Sequence, residues 1–558
     1  MERDVIKALR PIIGNAADIA NLHYEIEHSK ANILLDIPKQ EEVYGKYKIG
    51  AILKNGKEAY KFGLRDKEFL RHVVIAGSTG TGKTNTCFGL LSELVKNNKP
   101  FLVFDWKKSY RDLLQLEKFK DLIIFTVGNE RANPFRFNPL IPPPGLAPDI
   151  WLNRLIEVMA HSYFLAEGAI SILQRSIDQV YKENGLYSYK IKEYPIFRDV
   201  LSELYFFRFP LSSRRAHWLE SAKRTIYGLC FRSTGKAFNC SESLNMQDLL
   251  ERNIIFELDA LSHANKVFFT EALLLWIYYY RLHQRQREKF QHAIIIEEAH
   301  RLFESSGLKY DTRIDEPVVN IMLREIRELC ESVILIVQNP SLLPVTVLSN
   351  TYTTISHNLK HKYDINAISS CMQLDYKQSD YLAFLDVGYS IIKLQGRYKR
   401  PFLCKIPLVN IQRGITTDFV LRKRFRSCSG DSSENYGLIS NRKDNLLVSD
   451  FDISKDELDF MISVSKKPFL FTRERYQELR YSTRRGNEVK KNLQKKGMIV
   501  DESVQVDKNA SVKLSYFTGK GKNILSEKGI RIKELGKGGI KHEYWKNRIK
   551  EKLTGMGF

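Results

Sequence analysis

The stretch Gly77-Ser78-Thr79-Gly80-Thr81-Gly82-Lys83-Thr84 fits the pattern G-x-x-x-x-G-K-[ST]. Glycines at this spacing let successive backbone N–H groups turn inward around a phosphate, at the positive end of the helix that follows. Lys83 would reach the β- and γ-phosphates and Thr84 would ligate Mg²⁺, so the chemistry is that of ATP with Mg²⁺. Residues 77–84, with Asn85 beside them, form the candidate nucleotide-binding set. A second element is Ile294-Ile295-Ile296-Glu297-Glu298-Ala299-His300. An acid at the tip of a buried strand can hold the water shell of Mg²⁺, and a second acid next to it can orient the attacking water. Glu297 takes the metal side, with a Glu where an Asp is more usual, and Glu298 takes the water. Gln338, at the end of SVILIV, is placed to sense the γ-phosphate from a neighbouring strand tip.

These residues need a scaffold, and the apolar runs supply one. HVVIA (72–76), PFLVFD (100–105), LIIFTV (122–127), NIIFEL (253–258), HAIIIE (292–297) and SVILIV (332–337) are continuous rather than alternating. That is the pattern of parallel strands covered on both faces by helices, an α/β fold. The phosphate-binding loop falls between the first run and the helix-like TNTCFGLLSELVKN, the context its chemistry requires. Ahead of this core, residues 44–64 alternate around Asn55-Gly56, a type I′ hairpin signal, and predict a small β-module within residues 1–66. The core spans 67–414 and contains a helical insertion at about 138–250, which opens with NPLIPPPGLAP (138–148). A basic linker follows at 415–440, with RKRFR (422–426) and the Ser/Gly-rich 427–437.

Residues 441–535 have the spacing of a winged helix. Helices are expected at 455–464, after Thr472 and at 483–495, and a hairpin at 498–506 and 511–517. On the third helix Arg484, Lys491 and Lys495 share one face and Val489 and Leu493 another, so that it could enter a DNA groove or bind a protein. The formal net charge of +22 and a sequence pI near 9.4 favour a polyanionic partner. The seven cysteines (Cys87, Cys230, Cys240, Cys330, Cys371, Cys404, Cys428) include no C-x-x-C pair. That argues against a zinc site and a disulfide framework and fits a reducing, cytoplasmic setting. No run reads as a signal peptide or a bilayer span.

Taken together, these motifs resemble the HerA/FtsK family of RecA-like P-loop ATPases. Arg324-Glu325-Ile326-Arg327 through Gln338-Asn339-Pro340-Ser341 is similar to the family's R-E-x-R helix, strand, Gln and Pro-Ser. Arg71-His72, Asp105, Asn138-Pro139-Leu140, the segment 348–364, LDVGYSII (385–392) and Pro401-Phe402 add to the likeness, which covers about residues 45–412. The resemblance implies a hexameric ring on double-stranded DNA, with ATP sites between subunits and an arginine completing the neighbour's site. The candidates are Arg327, then Arg324, then Arg71. One departure stands out. Where the family often has an acid before an aromatic residue, this chain has Trp106-Lys107-Lys108-Ser109-Tyr110 after Asp105.

Residues 536–558 predict a helix with Trp545, Ile549 and Leu553 on one face. It resembles the opening helix of a nuclease-like domain whose metal-binding acids do not follow, or else it docks on its own domain. The first alternative implies a nuclease or other effector acting in trans. Two further readings stay open: a nucleotide switch with a winged-helix DNA-binding domain, and a conjugation-type DNA-transfer ATPase.

Overall fold

The computed structural model describes residues 35–428 and 454–555, apart from 55, 189–190, 192, 211, 242–245, 285, 288, 304–317, 508–509, 520, 523–524, 526–529 and 531–538. All six apolar runs are strands: β3 (Val73–Ala76), β4 (Phe101–Asp105), β5 (Ile123–Thr126), β6 (Ile254–Glu257), β7 (His292–Ile296) and β8 (Glu331–Val337). Nearly every residue in them is buried, as expected of strands with no solvent face. With β1 (Tyr47–Lys54), β2 (Lys57–Leu64), β9 (Thr353–Ser356), β10 (Tyr389–Leu394) and β11 (Phe402–Lys405) they form one eleven-stranded sheet, ordered β2-β1-β11-β10-β9-β3-β8-β7-β4-β6-β5. Pairing is parallel from β9 to β5 and antiparallel from β2 to β9.

The hairpin read as a separate small module is the edge of this same sheet. β1 pairs with β11 at Ala51–Lys405 and Ile52–Cys404. Tyr47, Ile49, Ile52, Phe62 and Leu64 are buried in one apolar cluster with Phe88, Phe290 and Phe402. A two-stranded hairpin cannot bury such a face alone, so it joins the larger sheet. Gly56 takes the positive φ of its turn, and Asn55 lies outside the described residues.

By contacts the chain divides into two units, residues 1–165 with 242–437 and residues 166–241 with 438–558. The first holds the sheet with α1 (Lys83–Lys96), α2 (Pro148–Tyr163), α7 (His263–His283), α8 (Val318–Glu325), α9 (Lys362–Met372) and α10 (Asp418–Cys428). The basic run expected in a linker is thus on a helix, whose Asp418 binds the buried Arg111 at 2.6 Å.

The second unit joins two parts distant in sequence. The insertion supplies α3 (Glu167–Glu183), α4 (Phe197–Leu204), α5 (Arg214–Cys230) and α6 (Arg232–Phe238). The C-terminal part supplies α11 (Lys455–Lys466), α12 (Thr472–Glu478), α13 (Thr483–Lys495), the hairpin β12 (Ile499–Asp507) and β13 (Ala510–Phe517), and α14 (Gly539–Gly555). Lys466 Nζ pairs with Glu203 at 2.9 Å, and Tyr205 and Phe206 pack on the cluster of Phe460, Tyr476, Leu493 and Met498. On α14 the buried residues are Ile540 and Tyr544, set against Val504, Leu514, Phe469 and Phe471. The face expected to pack is the outer one, with Trp545 and Ile549 exposed. The two faces are offset by one residue, about 100° of rotation about the helix axis, and the hairpin's position decides between them. No helix among the described residues is long and apolar enough to cross a membrane.

Candidate nucleotide site

The order β3-β8-β7-β4 sets four strand tips side by side at the C-terminal edge of the sheet, each about 4.8 Å from the next. Gly77 follows β3, Gln338 follows β8, Glu297 and Glu298 follow β7, and Asp105 ends β4. The sheet topology therefore brings together the loop, both acids and the glutamine.

In the loop Gly77, Gly80 and Gly82 all take positive φ, and a Cβ at Gly77 would lie 2.7 Å from Thr81 Oγ1 and 2.8 Å from His357 Cβ. A Cβ at Gly80 would meet nothing, so there the requirement is conformational. The loop is held from outside: Ser78 N–H donates to the Asn358 carbonyl at 2.7 Å and Gly77 N–H to that of Val337 at 3.3 Å. Lys83 Nζ donates to the carbonyls of Gly77 at 2.6 Å and Ser78 at 2.8 Å. Burial pulls its ammonium down to about 8, against the opposing pull of Glu297 and Glu298.

Glu298 takes a left-handed backbone, φ 51°, and is buried beside Glu297. Its Oε1 accepts from Gln338 Nε2, and Thr79 Oγ1 lies 3.1 Å from Gln338 Oε1, so the glutamine ties the loop to the acid. Lys107 Nζ reaches the same Oε1. Glu297 Oε1 accepts from the Tyr110 hydroxyl at 2.6 Å. Burial raises the Glu297 pKa and the Glu298 charge adds to it, while Tyr110 opposes. Asp105 is buried too. Its carboxylate accepts the N–H groups of Lys107 (3.0 Å), Ser109 (2.6 Å) and Tyr110 (3.1 Å), so it templates the turn that carries Lys107 and Tyr110. Burial, then the Glu297 charge, raises it to about 7.

Lys107 and Tyr110 escape a reading of motifs. Their signal is positional, two and five residues beyond an acid that ends the strand next to β7. His357, at the tip of β9, has no local signal. Its Nδ1 donates to the Tyr389 carbonyl at 3.0 Å, which leaves Nε2 to accept from Thr86 Oγ1 at 2.8 Å. Burial holds it neutral, with its pKa lowered to about 4. It backs the loop's glycines and ties α1 to β9 and β10.

Three kinds of candidate stand elsewhere. The Asn85 side chain donates to the Pro407 carbonyl at 2.9 Å and accepts from Val409 N–H at 2.8 Å, so it anchors the chain after β11. Arg324 and Arg327 precede β8, at the edge of the sheet opposite the loop and about 20 Å away along that strand. Arg71 precedes β3 on that same far edge, its guanidinium 4.9 Å from the centre of the Tyr352 ring. None of the three arginines reaches its own chain's site.

The oxygen donors at this edge are the Thr84 hydroxyl and the carboxylates of Glu297 and Glu298, with the His300 imidazole 3.7 Å from Glu298. Hard oxygen donors of this kind suit Mg²⁺, which keeps several waters and takes one or two protein oxygens together with phosphate.

Residues 47–274 match the family model described as helicase HerA, central domain. Among solved structures, VirB4 of Thermoanaerobacter pseudethanolicus aligns with a TM-score of 0.50 at 15% identity, covering 67% of this chain and 98% of that chain. The plasmid coupling protein TrwB in complex with ADP and Mg²⁺ aligns at 0.45 and 12%, covering 66% and 96%. The genome packaging NTPase B204 from Sulfolobus turreted icosahedral virus 2 in complex with sulfate aligns at 0.28 and 11%, covering 61% and 98%. The search of curated proteins gives no significant match.

Proposed function

We propose that this chain, whose residues 47–274 match the family model described as helicase HerA, central domain, is a P-loop ATPase of the HerA type that uses ATP hydrolysis to drive translocation on double-stranded DNA as a hexameric ring. One observation carries the reading: Lys83, Gln338, Glu298 and Glu297 meet at a single sheet edge, with Gln338 bonded to both the loop and the acid. A slow nucleotide switch has no use for so complete a hydrolytic set.

In this reading residues 77–84 cradle the phosphates and Lys83 gives its two carbonyl partners up for the β- and γ-phosphates. Thr84 and, through water, Glu297 hold Mg²⁺, which supplies neutralising charge at the phosphate oxygens. Glu298 orients the attacking water. Gln338, touching Thr79 and Glu298 together, couples the γ-phosphate to the strand that leads back to Arg327. The far-edge arginines support a ring, because Arg327 or Arg324 can complete a site only across a subunit boundary. The order α11, α12, α13, β12, β13 supports a winged-helix reading of the C-terminal part, with the exposed Arg484, Lys491 and Lys495 toward DNA. An effector such as a nuclease acts in trans. The second reading is a conjugation-type DNA-transfer ATPase, with which the fold shared with VirB4 is consistent.

The test is ATPase rate with and without long duplex DNA across a salt series, on protein sized for oligomeric state, with Lys83→Ala as the blank. Duplex stimulation in a hexamer-sized fraction that fades as salt rises is the expected result. A rate indifferent to DNA in a monomer or dimer overturns the motor in favour of the nucleotide switch, and turnover in the blank overturns the site.

A further inference from the structure

The segment after β4 is where this chain departs from the family pattern, and it is also the segment that touches both acids. Its geometry is built. Asp105 binds three successive parts of the turn through N–H groups, and Lys108 adopts a left-handed φ of 60° to close it. The turn is fastened on its other side by Lys266, whose Nζ donates to the Trp106 carbonyl at 3.1 Å and lies 5.6 Å from the centre of its ring. Tyr110 is wedged edge-on against Phe88 of α1, 5.3 Å between centroids, while its hydroxyl holds Glu297. Lys107 and Tyr110 thus leave a rigid turn in fixed directions, one to each acid.

At Glu298 the two oxygens are unequal. Oε1 is claimed by both Gln338 and Lys107. Among the described residues, Oε2 has only His300 Nε2 within ion-pair range, at 3.7 Å, too far for a hydrogen bond. With one oxygen pinned by two donors, the carboxylate cannot rotate, and the other oxygen is left to accept from a water. The Lys107 side chain is about half exposed and that of Glu298 is 4% exposed, so the lysine closes the solvent side of the acid.

We propose that Lys107 is a positioning residue for hydrolysis: with Gln338 it locks Glu298 by one oxygen so that the other faces the attacking water. This rests on the reading that Glu298 orients that water. A carboxylate free to rotate would lose near-attack geometry, an effect worth on the order of a hundredfold in rate. The run Trp106-Lys107-Lys108-Ser109-Tyr110, which departs from the acid-before-aromatic pattern of the family it resembles, thereby supplies function of its own. Lys107 acts through Glu298 and makes no demand on nucleotide affinity.

The experiment is steady-state and single-turnover ATP hydrolysis by the full chain carrying Lys107→Ala, Lys107→Arg, Glu298→Gln and the double change Lys107→Ala/Glu298→Gln. Melting curves of each variant would confirm folding. Lys107→Ala is expected to lower kcat about 10- to 100-fold with KM for ATP within about twofold. Lys107→Arg should recover most of the rate. The double variant should be no slower than Glu298→Gln alone, because a residue that acts through another adds nothing once that other is gone. An unchanged kcat in Lys107→Ala overturns the proposal. So does a rise in KM alone, or a further loss in the double variant, which would place Lys107 on the phosphates instead. Wild-type turnover by Glu298→Gln overturns the underlying reading of Glu298 and the Lys107 proposal with it. That outcome is distinct from failure at Lys107 alone.

Discussion

A buried carboxylate that accepts three backbone N–H groups is a structural part, whatever else it does, and Asp105 is such a part. Replacing it by Ala would leave those donors without partners in or near the core. An orphaned buried donor costs about 1–3 kcal/mol, and partial access to water for Lys107 and Ser109 reduces the total. Asp105→Ala is therefore expected to destabilise the chain by about 2–4 kcal/mol, measured by chemical denaturation. It should also lower turnover at least as far as Lys107→Ala, since the turn that aims both Lys107 and Tyr110 would relax. Asp105→Asn is expected to be intermediate, because one amide oxygen can still accept while the NH2 end faces donors. Stability unchanged in Asp105→Ala would show that the turn holds itself.

At the scale of elements, His72 joins pieces that the sequence keeps far apart. Its Nδ1 accepts from Val333 N–H at 3.1 Å, so its Nε2 donates to the Leu323 carbonyl at 2.7 Å. One side chain thereby ties the start of β3 to β8 and to α8, which carries Arg324. Burial is the main reason its pKa falls to about 4, and the nearby Arg327 charge adds to it. His357 is lowered to about 4 by burial as well. Both are neutral in the folded chain near pH 5, whereas unfolded histidine protonates below about 6.5. The unfolded state then binds more protons, so stability falls as pH drops from about 6.5 toward 4. Each histidine is expected to cost about 2 kcal/mol by pH 5. His72→Gln, which can still accept and donate, should remove roughly half of that pH slope between 7.5 and 5 in thermal unfolding, and an unaltered slope would refute the assignment.

The same elements mark what could be read from the sequence. Strands buried on both faces write themselves as unbroken apolar runs, so β3 to β8 were legible with their strand tips. The phosphate loop, the acids and Gln338 were legible because each sits at the end of such a run. What was not legible depends on which strands become neighbours. Lys107 is a basic residue in a loop until β4 lies beside β7. His357 is one histidine among twelve until β9 lies beside β3. The outward turn of Trp545 and Ile549 on α14 depends on the hairpin that Ile540 and Tyr544 meet, and helical periodicity alone offers both faces equally.

At the scale of the whole molecule, charge is unevenly shared between the two units. Residues 166–241 and 438–558 carry 39 lysines and arginines against 23 aspartates and glutamates, which is sixteen of the chain's surplus of 22 in little more than a third of its length. Within α13 and at its C-cap, Lys496, the basic residues divide by task. Arg485 pairs with Asp456 at 2.7 Å, Lys490 with Asp501 at 2.8 Å and Lys496 with Glu457 at 2.6 Å, and these hold the fold. Arg484, Lys491 and Lys495 are exposed and have no carboxylate partner among the described residues. Unpaired surface cations add little to stability and repel one another, so their use lies with an outside anion. If that anion is duplex DNA, each phosphate contact releases counterions and adds about 0.9 to the slope of log K against log salt. Changing all three to Gln is expected to weaken duplex binding most at low salt and to lower the slope by about 2.7. Melting temperature and DNA-free ATPase should be unchanged, since the fold-holding pairs are intact. A slope that stays at the wild-type value would mean that α13 faces a protein, and that the DNA contacts lie elsewhere on the chain.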